Sequence, residues 1–373
     1  MTDHFQQTLK QIQYNRNYRR LPQTRQGALD FSSNDYLGLS NNQQVIEAAY
    51  QAGVQYGIGA TGSRLLSGNY LLIEHLENQI AQDKNSEAAL VFATGFQANT
   101  STLSTLLSDQ NALVFFDKLN HASLYQAVQN SGCQLIRYRS CDMDHLTDLL
   151  EKHKNNPSPK WIISETVFGM DGQKCPLETI IQLAETYGTW LYLDEAHATG
   201  LYGPRGYGLS TCYTLPDQTI IMGTFSKALG GSGAYIACPT LIKEFLVNRA
   251  GGFIYSTAPS PMIIGGIIKA WDLLPSLDQE RQHIHDLANY ARHKLSTVNV
   301  IGSETNIIPI IVGDPIKTLD LKEHLAHHNI NVSAIRSPTV PKNTDRLRIA
   351  IHANHTKNNI DQLLKRYDSF KLY

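Results

Sequence analysis

The chain has 373 residues, more than one small core usually holds, so two closely joined domains are expected. Lys and Arg number 32 against 33 Asp and Glu; this net charge of −1 excludes the basic surplus of a general nucleic-acid binder but leaves room for a local basic pocket. No apolar run approaches a membrane span, and the opening Met1-Thr2-Asp3-His4-Phe5-Gln6-Gln7 has no basic segment followed by an apolar one, so no membrane association and a cytoplasmic location are expected. The five cysteines (Cys133, Cys141, Cys175, Cys212 and Cys238) are scattered without CxxC spacing, which reads as reduced thiols rather than a zinc site.

In chain order, the segment to about Arg25 is polar and reads as a helix leading into a loop. Residues 31–39 are turn-rich, with Ser32, Ser33, Asn34, Asp35 and Gly38. Leu71, Leu72, His75, Leu76, Gln79 and Ile80 fit one helical face. The run 88–92 is expected as a short buried strand, and Gly95 then opens a helix through Leu103, Leu106 and Leu107. Further apolar runs at 112–116, 161–164, 190–193, 219–222 and 234–238 are separated in several places by helical stretches such as 180–187. Continuous apolar strands separated by helices imply an α/β fold with a mostly parallel sheet covered on both faces. After about Pro275 the pattern changes to a charged helix (278–295), a strand (306–312), a helix (319–328), strands at 332–335 and 346–351, and a last helix (358–370). The organisation expected is an N-terminal segment 1–40, a large domain 41–275 and a smaller α+β domain 276–373.

Two segments carry the strongest chemical signal. Thr224-Phe225-Ser226-Lys227-Ala228-Leu229-Gly230-Gly231 places a lysine after an apolar run, and Trp190-Leu191-Tyr192-Leu193-Asp194 ends another run on an aspartate. An amine for an aldehyde and a carboxylate for a ring nitrogen are the two groups that pyridoxal phosphate (PLP) needs. Alone, the lysine reads as a surface charge and the aspartate as a turn residue; the pair, each at a buried strand end, points to the cofactor. His197, three residues beyond Asp194, is placed to meet the phenolic oxygen of PLP, and His121 in Asn120-His121-Ala122-Ser123 to stack on its ring. Glu195 reads as structural. Ala93-Thr94-Gly95-Phe96-Gln97-Ala98-Asn99 turns from strand to helix, offering N–H groups and a positive helix end to a phosphate. Thr224 and the pair Ser256-Thr257 add hydroxyls. For a substrate carboxylate the candidates are Arg336, Arg346 and Arg348, with Asn34 assisting. Arg346 and Arg348 alternate on one strand and share a face, with Leu347 turned to the core, which leaves open whether one of the two is only a surface charge. The run Gly57-Ile58-Gly59-Ala60-Thr61-Gly62-Ser63-Arg64 does not follow an expected strand, so it reads as a loop near the active site, contributed by a neighbouring subunit, rather than a dinucleotide loop.

Together these motifs resemble the α-oxoamine synthase family along nearly the whole chain. The resemblance rests on Asn34-Asp35-Tyr36-Leu37-Gly38-Leu39, residues 59–68, Gly95-Phe96-Gln97-Ala98-Asn99, Asn120-His121-Ala122-Ser123, Met170-Asp171-Gly172, Asp194-Glu195-Ala196-His197, residues 224–231 and residues 335–349. It implies the fold-type I (aspartate aminotransferase-like) PLP-dependent transferase architecture, PLP as cofactor and a homodimer with shared active sites. It also implies that Lys227 holds the cofactor and moves the substrate Cα proton. Asp194 then pairs with the ring nitrogen, His197 with the phenolic oxygen, and His121 stacks. Gly95, Phe96 and Thr224 hold the phosphate, and Ser256 and Thr257 reach in from the partner subunit. Arg348 and Asn34 bind the amino-acid carboxylate, Arg336 and Thr339 line the acyl side, and Arg20 is the candidate for a distal carboxylate. Ile254-Tyr255-Ser256-Thr257 and residues 334–341 favour the biotin-biosynthesis branch, whose substrates are L-alanine and pimeloyl-CoA or pimeloyl-acyl carrier protein. The chain departs from the family pattern in three places. Gly169 stands where a serine is usual in Phe168-Gly169-Met170-Asp171-Gly172, Ser337 stands where a proline is usual in Arg336-Ser337-Pro338-Thr339, and the connection from Arg20 to Phe31 is short.

Overall fold

The computed structural model describes residues 2–14, 18–19, 21, 27–108, 111–295 and 302–371. The chain divides into two compact units. One holds residues 34–284 and 352–354; the other holds the described residues within 1–33, 285–351 and 355–373. The first strand, β1 (Leu29–Asp30), belongs to the smaller unit.

The larger unit is built on seven strands: β2 (Ala88–Phe92), β3 (Leu113–Asp117), β4 (Gln134–Tyr138), β5 (Lys160–Glu165), β6 (Trp190–Asp194), β7 (Thr219–Thr224) and β8 (Ala234–Cys238). They form one sheet in the order β2-β8-β7-β6-β5-β3-β4. All run parallel except β8, which is antiparallel to both of its neighbours. Period-two alternation sends Val114 and Phe116 into one core cluster and Leu113 and Phe115 into another. Both faces are therefore covered, which is why these strands read as unbroken apolar runs. β4 is the exception: it lies at the sheet edge, Gln134 and Arg137 are exposed, and no apolar run announced it. The helix Pro261–Leu273 lies against Gln43–Tyr56 at small residues; a Cβ on Gly265 would stand 2.3 Å from that of Ala52.

In the smaller unit, β9 (Ile307–Ile311), β11 (Ser333–Ile335) and β12 (Arg346–Ala350) make an antiparallel sheet in the order β11-β12-β9. β10 (Ile330–Asn331) pairs in parallel with β1. The helices Pro315–His327 and Lys357–Lys371 complete this α+β unit, the first of them capped by the Asp314 carboxylate, which accepts from the Ile316 and Lys317 amides. Among the described residues, no helix is long and apolar enough to cross a membrane.

Candidate active site

The parallel strands deliver their carboxyl ends to one edge of the large sheet, where ligands of open α/β sheets bind. A cavity of about 290 Å³ lies there, lined by Thr94, Gly95 and Phe96 after β2, His121 after β3, Glu165 ending β5, Asp194 and His197 at and after β6, and Thr224 and Lys227 at and after β7. Seven of the residues expected from sequence (Gly95, Phe96, His121, Asp194, His197, Thr224 and Lys227) thus meet around one space. Asn99, Ser123 and Glu165 line it as well and were not among the expected site residues.

A hydrogen-bonded chain fixes the Asp194 side of the cavity. Asn99, 1% exposed, donates from its amide to Asp194 Oδ2 at 2.9 Å and to Ser123 Oγ at 2.9 Å. Its Oδ1 accepts from the Tyr192 hydroxyl at 2.7 Å. Asp194 Oδ1 accepts from the Ala196 amide at 2.9 Å. The Ser123 hydroxyl lies 2.8 Å from His121 Nδ1, which also accepts from the Ser123 amide at 3.3 Å. With Nδ1 already an acceptor and Ser123 Oγ already receiving the Asn99 proton, the hydroxyl donates to Nδ1. That places a neutral His121 in the Nε2–H form.

The titratable groups are tuned by burial. Glu165, 5% exposed, has its carboxyl pushed up to about 8, first by desolvation and then by the charge of Asp194, with Lys227 and the Gly169 and His121 amides opposing. The β5–β6 register sets Glu165 beside Asp194, and two neighbouring carboxylates resist a second charge. His121 is exposed toward the cavity, yet desolvation lowers its pKa; Asp194 pulls the other way and Lys227 reinforces the lowering. Asp194 and His197 are buried and Lys227 is half-buried. Glu195, read from sequence as structural, is wholly buried and ion-paired with Lys84, and it also accepts from the Ser210 amide and hydroxyl, each at 2.8 Å.

Another wall of the cavity begins at the helix Gly95–Leu107, whose N-cap Thr94 accepts from the Gln97 amide at 3.1 Å. Thr224 bonds the Gly233 carbonyl at 2.9 Å and lies 2.9 Å from the Ser226 hydroxyl. Ser256 and Thr257 do not line the cavity of their own chain: Thr257 is exposed and bridges Ser63, and the Ala258 amide donates to the Gly62 carbonyl at 2.9 Å. The glycine run 57–62 is therefore tied to the 256–260 segment. Asn34 Oδ1 accepts from Tyr36 Oη at 3.1 Å, and Tyr36 Oη lies 2.8 Å from His197 Nδ1, so Asn34 connects to the cavity through Tyr36. Arg346 and Arg348 on β12 are both buried, at 3% and 4%, with Leu347 between them wholly buried; neither arginine is a surface charge. In the same unit Arg336 is half-buried and Thr339 exposed, its amide bonding the Arg336 carbonyl. Arg20 lies outside the described residues.

This donor set fits PLP: an amine, a buried carboxylate held by Asn99, two histidines and a helix N-terminus surround one space of cofactor size. Such a cavity at the carboxyl edge of a mostly parallel sheet defines a PLP-dependent transferase. The model for class I and II aminotransferases matches residues 26–366, and the chain belongs to that family. Within it the chain is an α-oxoamine synthase, a PLP-dependent acyltransferase. A putative 8-amino-7-oxononanoate synthase of Magnetococcus marinus is 43% identical over 335 residues, covering 88% of this chain and 84% of that one. The 8-amino-7-oxononanoate synthase of Gluconacetobacter diazotrophicus is 43% identical over 344 residues, covering 90% and 86%. Among solved structures, an 8-amino-7-oxononanoate synthase from Francisella tularensis superposes with a TM-score of 0.80 at 26% identity, covering 94% of this chain and 99% of that one. A serine palmitoyltransferase from S. paucimobilis reaches a TM-score of 0.90 at 23% identity, covering 99% and 97%, a likeness of fold.

Proposed function

We propose that the chain condenses L-alanine with a pimeloyl thioester, carried by CoA or acyl carrier protein, to give 8-amino-7-oxononanoate, carbon dioxide and the free thiol carrier in biotin biosynthesis. The observation that carries this reading is the cavity gathering Lys227, Asp194, His121 and His197 at the sheet edge. Two relatives bearing that activity's name are 43% identical over 88% and 90% of this chain, which favours the pimeloyl branch.

Bound PLP supplies the electron sink that lets the alanine Cα lose its proton and then its carboxyl group. Lys227 holds the cofactor and its Nζ removes the Cα proton. A bond forms between alanine Cα and the thioester carbonyl carbon, the C–S bond breaks, and the sulfur leaves as thiol. The alanine carboxyl then departs as carbon dioxide and a proton returns to Cα. Asp194 keeps the cofactor nitrogen protonated, with Asn99 holding the carboxylate in place. His197 meets the phenolic oxygen, and His121 covers the ring as a neutral imidazole. Gly95, Phe96 and Thr224 hold the phosphate, Ser256 and Thr257 reach it from the partner subunit, Arg348 with Asn34 binds the alanine carboxylate, and Arg336 and Thr339 line the acyl side, with Arg20 assigned to the distal carboxylate.

The shared-site homodimer is supported by an exposed apolar stripe on the helix Gln43–Tyr56, where Ile46, Tyr50 and Val54 repeat every four residues, and by the exposed Tyr255 beside Ser256. We read the protein as cytoplasmic, with no nucleic-acid or membrane partner. The test is thiol release by protein plus PLP, offered alanine, glycine or serine, each with pimeloyl-CoA, pimeloyl-acyl carrier protein, a short acyl-CoA and a long acyl-CoA. Release confined to alanine with a pimeloyl thioester is expected. Release with serine and a long acyl chain would move the substrate assignment to the palmitoyltransferase type.

A further inference from the structure

His197 is held from two sides. Its Nδ1 lies 2.8 Å from the hydroxyl of Tyr36, a wholly buried side chain whose Oη also bonds Asn34 Oδ1 at 3.1 Å. On the other side the ring lies where a side chain on residue 169 would be. A Cβ built on Gly169 would stand 2.3 Å from His197 Nε2, 2.8 Å from Cδ2 and 3.0 Å from Cε1. The Gly169 backbone is not in the left-handed region, so the conformation itself would accept an L side chain; only the imidazole excludes one. Residue 169 is the position at which this chain lacks the serine of the family pattern.

We propose that Gly169 and Tyr36 are coupled positioning residues: the glycine leaves the space that the His197 ring fills, and the Tyr36 hydroxyl fixes the ring's rotation and tautomer there. The tautomer follows from proton count. Asn34 Oδ1 is a carbonyl oxygen and only accepts, so it takes the single proton of Tyr36 Oη. His197 Nδ1 must then carry its own proton and donate to Tyr36. A neutral His197 is therefore in the Nδ1–H form, opposite to His121, and Nε2 is turned toward Gly169. In this chain the imidazole takes over the place of the usual hydroxyl instead of sharing the site with it. The consequence for the cofactor rests on the PLP reading above; the coupling itself belongs to Tyr36, Gly169 and His197.

The coupling is tested with Gly169→Ala, Tyr36→Phe and the double variant, each confirmed folded by thermal melting. The first readout needs no cofactor. Histidine 15N shifts of the PLP-free protein report which ring nitrogen bears the proton, and the His197 signals are assigned through His197→Gln. The unsubstituted protein should show Nδ1–H. Tyr36→Phe should shift His197 toward the mixed or Nε2–H pattern, and Gly169→Ala should perturb the same signals while leaving those of His121 in place. The second readout is PLP affinity by equilibrium dialysis. Gly169→Ala should weaken it by about tenfold in the parent and distinctly less in the Tyr36→Phe background, where the ring is free to turn aside, as groups in contact are non-additive. An Nε2–H pattern in the parent, or additive losses with the His197 signals unmoved, would overturn the proposal. Failure of the parent to bind PLP at all would instead strike at the cofactor assignment and leave the nitrogen shifts to judge the coupling.

Discussion

Asn99 and Asp194 meet at 2.9 Å in the wall of the cavity, and the same Asn99 amide group reaches Ser123 at 2.9 Å, so one buried side chain ties the strand-end carboxylate, through Ser123, to His121. Every polar atom of the Asn99 side chain is used, its oxygen by Tyr192. Asn99→Ala should strand the buried Tyr192 hydroxyl and loosen Asp194, at a cost of about 1–3 kcal/mol in stability. PLP affinity should fall by about tenfold for the lost orientation of the carboxylate, the scale of one charged-group hydrogen bond. Asn99→Asp, which sets a second carboxylate against Asp194, should be worse. Urea melts and equilibrium dialysis check both; a loss of stability with unchanged PLP affinity would show that Asn99 serves packing alone.

Glu165 gives the folded protein a pH signature. Its folded value of about 8 lies above the ordinary 4.5, so the native state keeps a proton that the unfolded chain has lost. The contribution to stability is full below about 4.5 and is lost as pH rises to about 8. Glu165→Gln keeps the shape and removes the titration, so the melting temperature of the PLP-free variant should fall less steeply than the parent's across that window. Parallel pH profiles would contradict the burial account.

Lys84 and Glu195 form a buried pair that the chemistry does not use. Lys84 also donates to the Tyr207 carbonyl at 2.7 Å and to Ser210 Oγ at 3.0 Å; burial pulls its pKa down most strongly, but the Glu195 charge, Tyr235 and the hydrogen bonds to both together raise it. Lys84→Met leaves Glu195 buried without its counter-charge and should destabilise by about 3–5 kcal/mol. Lys84→Met with Glu195→Gln should recover part of that loss. Denaturant midpoints decide it; a single-variant loss under about 1 kcal/mol would mean that Glu195 simply takes up a proton.

The apolar stripe Ile46, Tyr50 and Val54 should seat a second copy of the chain. Tyr50→Asp should move the protein toward monomer in sedimentation, with little change in monomer melting because Tyr50 is 58% exposed. PLP affinity should fall together with the dimer, since Ser256 and Thr257 would no longer reach a partner's site. A monomeric variant with full PLP affinity would remove those two residues from the cofactor site.

The elements readable from sequence were those with a strong local signature. β2, β6 and β8 match their apolar runs because both sheet faces are buried, and Gly95 opens its helix where a Thr94 cap was available. β4 escaped because its exposed Gln134 and Arg137 break the apolar run, unlike β2 at the other edge, which is buried along most of its length. Lys227, Asp194, His121 and His197 were legible because each follows or ends a buried strand. Asn99 and Ser123 were not, since their role lies in tertiary hydrogen bonds between two helices and a strand end. Glu165 had a usable signal: it ends an apolar run just as Asp194 does, and the parallel register then sets the two side by side. The reach of Tyr36 to His197, across 161 residues of sequence, had no local sign at all.

The most direct measurement is carbon dioxide release from alanine labelled with 13C in its carboxyl group, followed with pimeloyl-CoA and pimeloyl-acyl carrier protein alongside thiol appearance. The account expects labelled carbon dioxide and thiol in one-to-one ratio, with both lost in Lys227→Ala. Thiol release without labelled carbon dioxide, or equal release from Lys227→Ala, would contradict it.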